Sequence, residues 1–172
     1  MDTTFKQFKK KVKENRSKMR RFMTGLENNT PPGLDKMAAA LAPAVWQEVE
    51  CLSCANCCKT MTPTFTPADI KRIAAHLKMT PEQFTDKWLL KEKRGAKDWI
   101  NKTQPCQFLN LQDNKCSIYE VRPADCAGFP HLTKKKMVDY MHVHKQNIEY
   151  CPATYVLIEK MKAASVKGNN TL

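Results

Sequence analysis

The chain has 172 residues, eight cysteines and a net charge of +12, from 29 basic and 17 acidic residues. Its 42% hydrophobic and 27% charged residues exclude a disordered low-complexity chain, and its five glycines exclude a collagen-like one. No stretch approaches 18 apolar residues, so no transmembrane segment is predicted. The first thirteen residues lack the apolar core of a secretory signal, and we therefore expect a cytoplasmic protein with reduced thiols.

The N-terminal segment combines an apolar seam with a strong positive charge. Residues 1–24 contain nine Lys and Arg against two acidic residues. Apolar residues recur at intervals of three and four from Phe5 to Leu26, which predicts an amphipathic helix followed by a linker ending at Gly33. The seam could dock on the protein or on a second copy. We predict a protein partner, with nucleic acid or an anionic membrane surface, contacted through residues 1–26, as alternatives.

Helices are also predicted beyond the linker. Residues 34–50 are Ala-rich and helical in character, with Pro43 starting a second segment and Trp46 packing inward. Thr66 and Thr80 are each followed by proline and, three residues on, by a side chain that completes a helix start. These two helices are interpreted as scaffold.

The second half of the chain has shorter elements. Residues 91–103 are charged and predicted to form a loop. Two short apolar runs, starting at Cys106 and Cys116, flank a turn-forming sequence and predict a small hairpin. Pro152 begins a final helix, and 167–172 form a tail. The fold class is thus mainly α, a small irregular metal-stapled domain over 34–166 with at most a short β-hairpin, preceded by the amphipathic helix and linker of 1–33.

The strongest chemical signal is the motif Cys51-x2-Cys54-x2-Cys57-Cys58. A two-residue gap lets two thiolates turn toward one metal, as in zinc knuckles and iron–sulfur loops. Adjacent side chains point apart in helices and strands, so Cys57 and Cys58 are predicted not to chelate one ion together. One of the two would then serve a second centre, a bridging role or a free thiol.

The remaining cysteines allow either one or two metal centres. All eight are predicted metal ligands, for zinc or an iron–sulfur cluster, since thiolates suit both: Cys51, Cys54, Cys57, Cys58, Cys106, Cys116, Cys126 and Cys151. Cys151 has the weakest claim, because it lies farthest from the motifs.

Other residues near these cysteines have open roles. Arg122 could neutralise cluster charge, pair with an acid, take part in catalysis or serve only as a structural anchor. His131, His142 and His144 could ligate metal, although the thiols already suffice, whereas His76 is expected on the surface.

Several enzyme classes lack their motifs. The chain has no GxSxG, HExxH, phosphate-binding loop or Gly-rich nucleotide fingerprint, and no CxxxCxxC motif for radical chemistry. No strand precedes Cys51, as a thioredoxin-type site would require. Two functions remain: a metal-cluster protein in redox or protein-modification chemistry, and a non-enzymatic zinc-stapled interaction module with a basic N-terminal arm. The sequence does not decide whether the protein is an enzyme, and no catalytic residue is predicted.

A specific resemblance rests on the Cys51–Cys58 motif, Asp69-Ile70, residues 105–109, and the stretch from Cys116 to Pro130. The chain resembles the YkgJ-type cysteine-cluster family, also called CxxCxxCC proteins, over about 60% of its length, from residue 49 to residue 151. The resemblance implies zinc or iron chelation by cysteines. Part of the flagellin lysine methylases is similar, which implies a link to modification chemistry. Ala127 departs from the polar residue often found there.

Overall fold

The computed structural model describes residues 3–91 and 98–168. The described chain divides into two compact units. The helical unit combines 3–51 with 130–168, and the cysteine unit comprises 52–129. The predicted mainly α class is confirmed. In the described part, no helix is both long enough and apolar enough to cross a membrane.

The helices lie in the order of the chain, with two short 3-10 turns at Tyr119–Val121 and Met137–Tyr140. Their bounds are α1 (Thr3–Asn28), α2 (Leu34–Glu48), α3 (Cys51–Cys54), α4 (Asn56–Thr60), α5 (Pro67–His76), α6 (Pro81–Trp88), α7 (Ala124–Gly128), α8 (Met141–Asn147) and α9 (Pro152–Gly168).

In the helical unit, α1 packs on α8 and α9 along its apolar seam. Phe8, Met19 and Leu26 are buried as the seam predicts, and the ring of Phe8 meets the ring of Tyr155 edge-on at 5.9 Å between centroids. Met23, outside the predicted seam, is fully buried, while Phe22 is only half-buried. The contact face is therefore broader than the predicted single row. Of the alternatives for the seam, docking on the chain itself is the one observed.

Charged groups border this contact. Arg16 and Arg20 each donate to the carboxylate of Glu149, at 3.2 and 3.3 Å, and Lys145 donates to Glu27 at 2.5 Å. Exposed pairs of this kind each contribute at most about 1 kcal/mol, so the buried apolar side chains supply most of the stabilisation.

Two predictions for α2 are wrong. Pro43 lies inside a continuous helix and does not start a second segment, because buried Ala38, Ala42 and Val45 keep one face packed, and α2 lies against α9. Trp46 is 44% exposed and does not pack inward.

The cysteine unit contains a three-stranded antiparallel sheet, with β1 (Thr64–Phe65), β2 (Leu89–Lys91) and β3 (Trp99–Asn101) in the order β1-β3-β2. The loop predicted for 91–103 is therefore wrong at residue 91, where β2 ends, and at 99–101, which form β3. The part of that prediction that covers 92–97 lies outside the described residues, as does most of the predicted tail. Residues 89–101 lack a clear alternation of apolar and polar side chains, so the sequence did not predict these two short strands.

The predicted helix starts of α5 and α6 are confirmed as complete capping boxes. Thr66 and Thr80 each accept a hydrogen bond from the backbone N–H three residues on, and the side-chain oxygens of Asp69 and Gln83 each accept one from the N–H of the cap residue. Both helices pack on an aromatic core in which the rings of Phe84 and Phe108 stack with centroids 6.1 Å apart. This scaffold supports the segments that carry the cysteines. The predicted boundary at residue 33 remains a prediction.

Replacing Met23 with alanine tests the docking of α1. Because this side chain is fully buried, we expect the Met23→Ala variant to lose about 3 kcal/mol of unfolding free energy in urea titrations. The neighbouring Thr24 is exposed, so Thr24→Ala serves as the control and should change little. Equal urea midpoints for the two variants would contradict the packing described for α1.

Candidate metal centre

Two adjacent cysteines of the motif lie on the short helix α4. Ala55 has a left-handed conformation, with φ 45°, which separates α3 from α4 and redirects the chain. The sulfur atoms of Cys57 and Cys58 are 3.9 Å apart. Two thiolates bound to one tetrahedral zinc at about 2.3 Å would lie about 3.8 Å apart. The two side chains thus do not point apart as expected, and whether they serve one ion together stays a prediction.

A second segment is joined to α4 by the backbone. The N–H of Cys106 donates to the carbonyl of Cys58 at 2.8 Å. The chain then turns, and Leu109 forms an antiparallel bridge with Cys116. The predicted hairpin is present as this single bridge, which places Cys116 on its second arm. Main-chain hydrogen bonds therefore hold the segments that carry Cys58, Cys106 and Cys116.

A third segment, α7, carries Cys126. The carboxylate of Asp125 accepts a hydrogen bond from the backbone N–H of Thr64 at 3.1 Å, and the N–H of Ala124 donates to Asp69 at 3.0 Å. These bonds tie both the strand β1 and the start of α5 to the helix that presents Cys126.

The electrostatics show that four thiols from these segments lie within range of one another. Burial is the largest cause that raises the pKa of Cys106, Cys116 and Cys126, and the charge of Cys58 raises each of them further. By contrast, the hydrogen bond from Cys57, the largest cause, lowers the pKa of Cys58 to about 7. We call Cys58, Cys106, Cys116 and Cys126 the thiol quartet.

The donor set fits zinc or iron, since thiolates are preferred ligands of both. Within 3–91 and 98–168, no three His, Cys, Asp or Glu side chains already stand in an arrangement that could hold an ion. Binding would require the thiols to lose protons. A cation would offset the two effects that raise their pKa values, burial and mutual repulsion.

The other three predicted ligands have different settings. Cys51 is exposed and Cys54 half-buried, at the two ends of α3. Cys151 belongs to the helical unit, where it is buried immediately before α9. Their roles as ligands remain predictions.

Arg122 has the contacts of a structural anchor. Its guanidinium donates to the carbonyl of Tyr119 at 2.6 Å and lies 3.9 Å from the centroid of that ring. Its charge also opposes the rise in the pKa of Cys116, as the least of the named causes. Of the roles considered for this residue, charge neutralisation and anchoring therefore have a physical basis.

The histidines are in different settings. His76 is exposed at the end of α5, as expected, whereas His131, His142 and His144 belong to the helical unit. His144 is fully buried, and burial, followed by the charges of His131 and His142, lowers its pKa to about 4. It is therefore neutral at physiological pH.

Asp69 holds the site together in a way that sequence reasoning missed. Its buried carboxylate accepts hydrogen bonds from the Thr66 N–H and hydroxyl, from Arg72 at 2.6 Å and from the N–H of Ala124. The capping pattern identified the local bonds to Thr66. No sequence pattern marks the bond to Ala124, which lies 55 residues away.

Comparison with known proteins places this thiol-rich unit in a family. Residues 50–152, more than half of the chain, match the CxxCxxCC family model, described as a "putative zinc- or iron-chelating domain". The chain belongs to the CxxCxxCC family. The matched span contains every cysteine of this CxxCxxCC protein, which agrees with the resemblance drawn from the sequence.

One relative is an uncharacterized protein of Methanocaldococcus jannaschii, 31% identical over 90 residues. The match covers 47% of this chain and 43% of the relative, so the chain spans less than half of that protein's length. No solved structure matches the chain significantly.

Replacing Asp69 tests its role in joining α5 to α7. We expect Asp69→Asn to lose about 2 kcal/mol of unfolding free energy at pH 7, because buried donors lose a charged acceptor. Burial raises the pKa of Asp69, but its hydrogen bonds with Thr66, Arg72 and Ala124 outweigh burial and lower it overall. The stability advantage of the native protein over the variant should be complete above about pH 3.9, the pKa of Asp in an unfolded chain. It should disappear as the pH falls through the lower pKa of folded Asp69.

The measurement is urea unfolding of native protein and variants at several pH values. Asp86 is exposed on α6, so Asp86→Asn makes the same chemical change without removing a buried acceptor. An Asp69→Asn variant as stable as Asp86→Asn at pH 7 would contradict the role assigned to Asp69.

Proposed function

We propose that the protein binds iron as an iron–sulfur cluster through the thiol quartet, and that the centre serves redox or protein-modification chemistry. The observation that carries this proposal is that Cys58, Cys106, Cys116 and Cys126 lie on three segments held by hydrogen bonds within the cysteine unit. The influence of Cys58, which raises the pKa of the other three thiols, agrees with this grouping. Four thiolates suffice for a cluster or for one zinc ion.

The number of neighbouring thiols favours the cluster. Cys57 brings a fifth sulfur within 3.9 Å of Cys58, which is more than one tetrahedral zinc requires. The chain's own residues position the thiols: main-chain bonds hold Cys106 beside Cys58, and the Asp69 network holds the helix of Cys126. When bound, an iron–sulfur cluster would supply one-electron chemistry.

The second candidate is a zinc-stapled interaction module without catalytic activity. It is favoured by the small size of the sheet and aromatic core of the cysteine unit, which a structural metal would supplement. It also accounts for the basic helix α1 as a contact element.

Metal analysis of protein purified without oxygen distinguishes these functions. We expect iron, acid-labile sulfide and broad visible absorption from the native chain. Colourless protein with stoichiometric zinc would reject the cluster in favour of the structural metal. Folded, metal-free protein would reject both candidates.

The ligand assignment is tested by replacing single side chains. We expect Cys116→Ser to retain less than half of the native metal content, because one thiolate of the quartet is lost. Ser117 is the exposed neighbour, and Ser117→Ala should retain full content. Equal metal content in both variants would remove Cys116 from the ligand set.

A further inference from the structure

A row of positive charges runs along the outer side of α1. Lys6, Lys10, Lys13 and Arg21 follow one another at intervals of four, three and eight residues, so they lie on one face of the helix, and all are exposed. Lys18 is exposed beside this row. From Lys6 to Arg21 the row extends about 22 Å at 1.5 Å per residue. We call these five residues the basic stripe.

The basic stripe differs in its contacts from three of the other four cations of α1. Arg16 and Arg20 are engaged by Glu149, and the ammonium of Lys9 lies 5.2 Å from the centroid of the Phe5 ring. Among the described residues, no ion pair involves any member of the basic stripe. Glu14 is exposed on the same face, four residues from both Lys10 and Lys18, so the stripe and this acid together carry five positive charges against one negative.

The packing of α1 argues against a lipid surface as its partner. An amphipathic helix that lies in a membrane surface inserts its apolar face between headgroups. Here Phe8, Met19 and Met23 are buried, and α1 packs on α8 and α9 of the same chain. The helix thus presents charge to solvent without the apolar residues that insertion requires.

A polyphosphate backbone fits these features better. About 22 Å of duplex axis carries about 13 phosphate charges, enough to face each cation of the stripe. No base-reading arrangement is needed, because lysine ammonium groups contact phosphates without regard to sequence. We propose that the basic stripe binds the phosphodiester backbone of nucleic acid without sequence specificity.

The test measures binding of the full-length native chain to a labelled 20-base-pair DNA duplex and to a 20-nucleotide RNA by fluorescence anisotropy. Five phosphate contacts predict that affinity for duplex falls about 500-fold between 50 and 200 mM salt. The triple variant Lys6→Gln, Lys10→Gln, Lys13→Gln should retain about two contacts, which predicts a fall of about 12-fold. The two probes show whether DNA or RNA is the preferred source of the phosphates.

A matched variant carries the same loss of three charges elsewhere. Lys71, Lys78 and Lys115 are exposed in the cysteine unit, and their replacement by glutamine should leave the native salt dependence unchanged. A second stripe variant, Lys18→Gln with Arg21→Gln, should give an intermediate slope, which guards against misfolding of the triple variant. Circular dichroism checks that all variants stay helical.

Three outcomes would overturn the proposal. The first is absence of binding to either probe at 50 mM salt. The second is an equal loss of affinity in the stripe and control variants, which would indicate a general charge effect. The third is binding to vesicles of phosphatidylglycerol and phosphatidylcholine with no binding to either nucleic acid.

Discussion

Half-buried thiols repel one another as soon as they ionise, and this constraint shapes the cysteine unit. Burial and neighbouring charge both raise the pKa of Cys106, Cys116 and Cys126. A neutral thiol is a weak hydrogen-bonding group, so the quartet itself gives the surrounding loops little cohesion. The segments are instead positioned by main-chain bonds, by the capped helices and by the Asp69 carboxylate. The scaffold thus brings the cysteine-bearing segments together through bonds between its own residues.

The helical unit uses a different balance of forces. There α1 buries apolar side chains against α8 and α9, while its charged residues either form exposed pairs or face solvent. Desolvation of His144 illustrates the apolar character of this interior, because burial is the largest cause of its lowered pKa. The helical unit is therefore held together by apolar packing, whereas the small cysteine unit is suited to stabilisation by a bound metal.

Local patterns predicted much of this structure. The seam of α1, the capping boxes at Thr66 and Thr80 and the arms around Cys116 all depend on residues a few positions apart. Other features depend on residues that are distant in sequence, and no local pattern encodes them. These are the packing of α1 on α8 and α9, the pairing of strands β2 and β3, and the bond from Ala124 to Asp69. The burial of Met23 and the continuity of α2 through Pro43 likewise follow from packing, which overrides local preference.

For the candidate site, spacing identified the residue types but not their grouping. The motif singled out Cys57 and Cys58 as ligands, yet general side-chain directions gave the wrong relation between them. Only the structure shows that the sulfur atoms of Cys57 and Cys58 lie 3.9 Å apart on α4, and that Cys106 is joined to Cys58 through the backbone. Which of the cysteines share a centre is a property of these long-range connections.

The order of the units along the chain has a consequence for biosynthesis. The helical unit is built from two pieces of sequence, 3–51 and 130–168, with the cysteine unit between them. During translation, α1 and α2 emerge long before α8 and α9, the helices on which they pack. The apolar faces of α1 and α2 therefore stay exposed while the rest of the chain is synthesised, and chaperones can bind them during that time. The cysteine unit is continuous in sequence, so all of its residues have been synthesised before α9, the last helix of the helical unit.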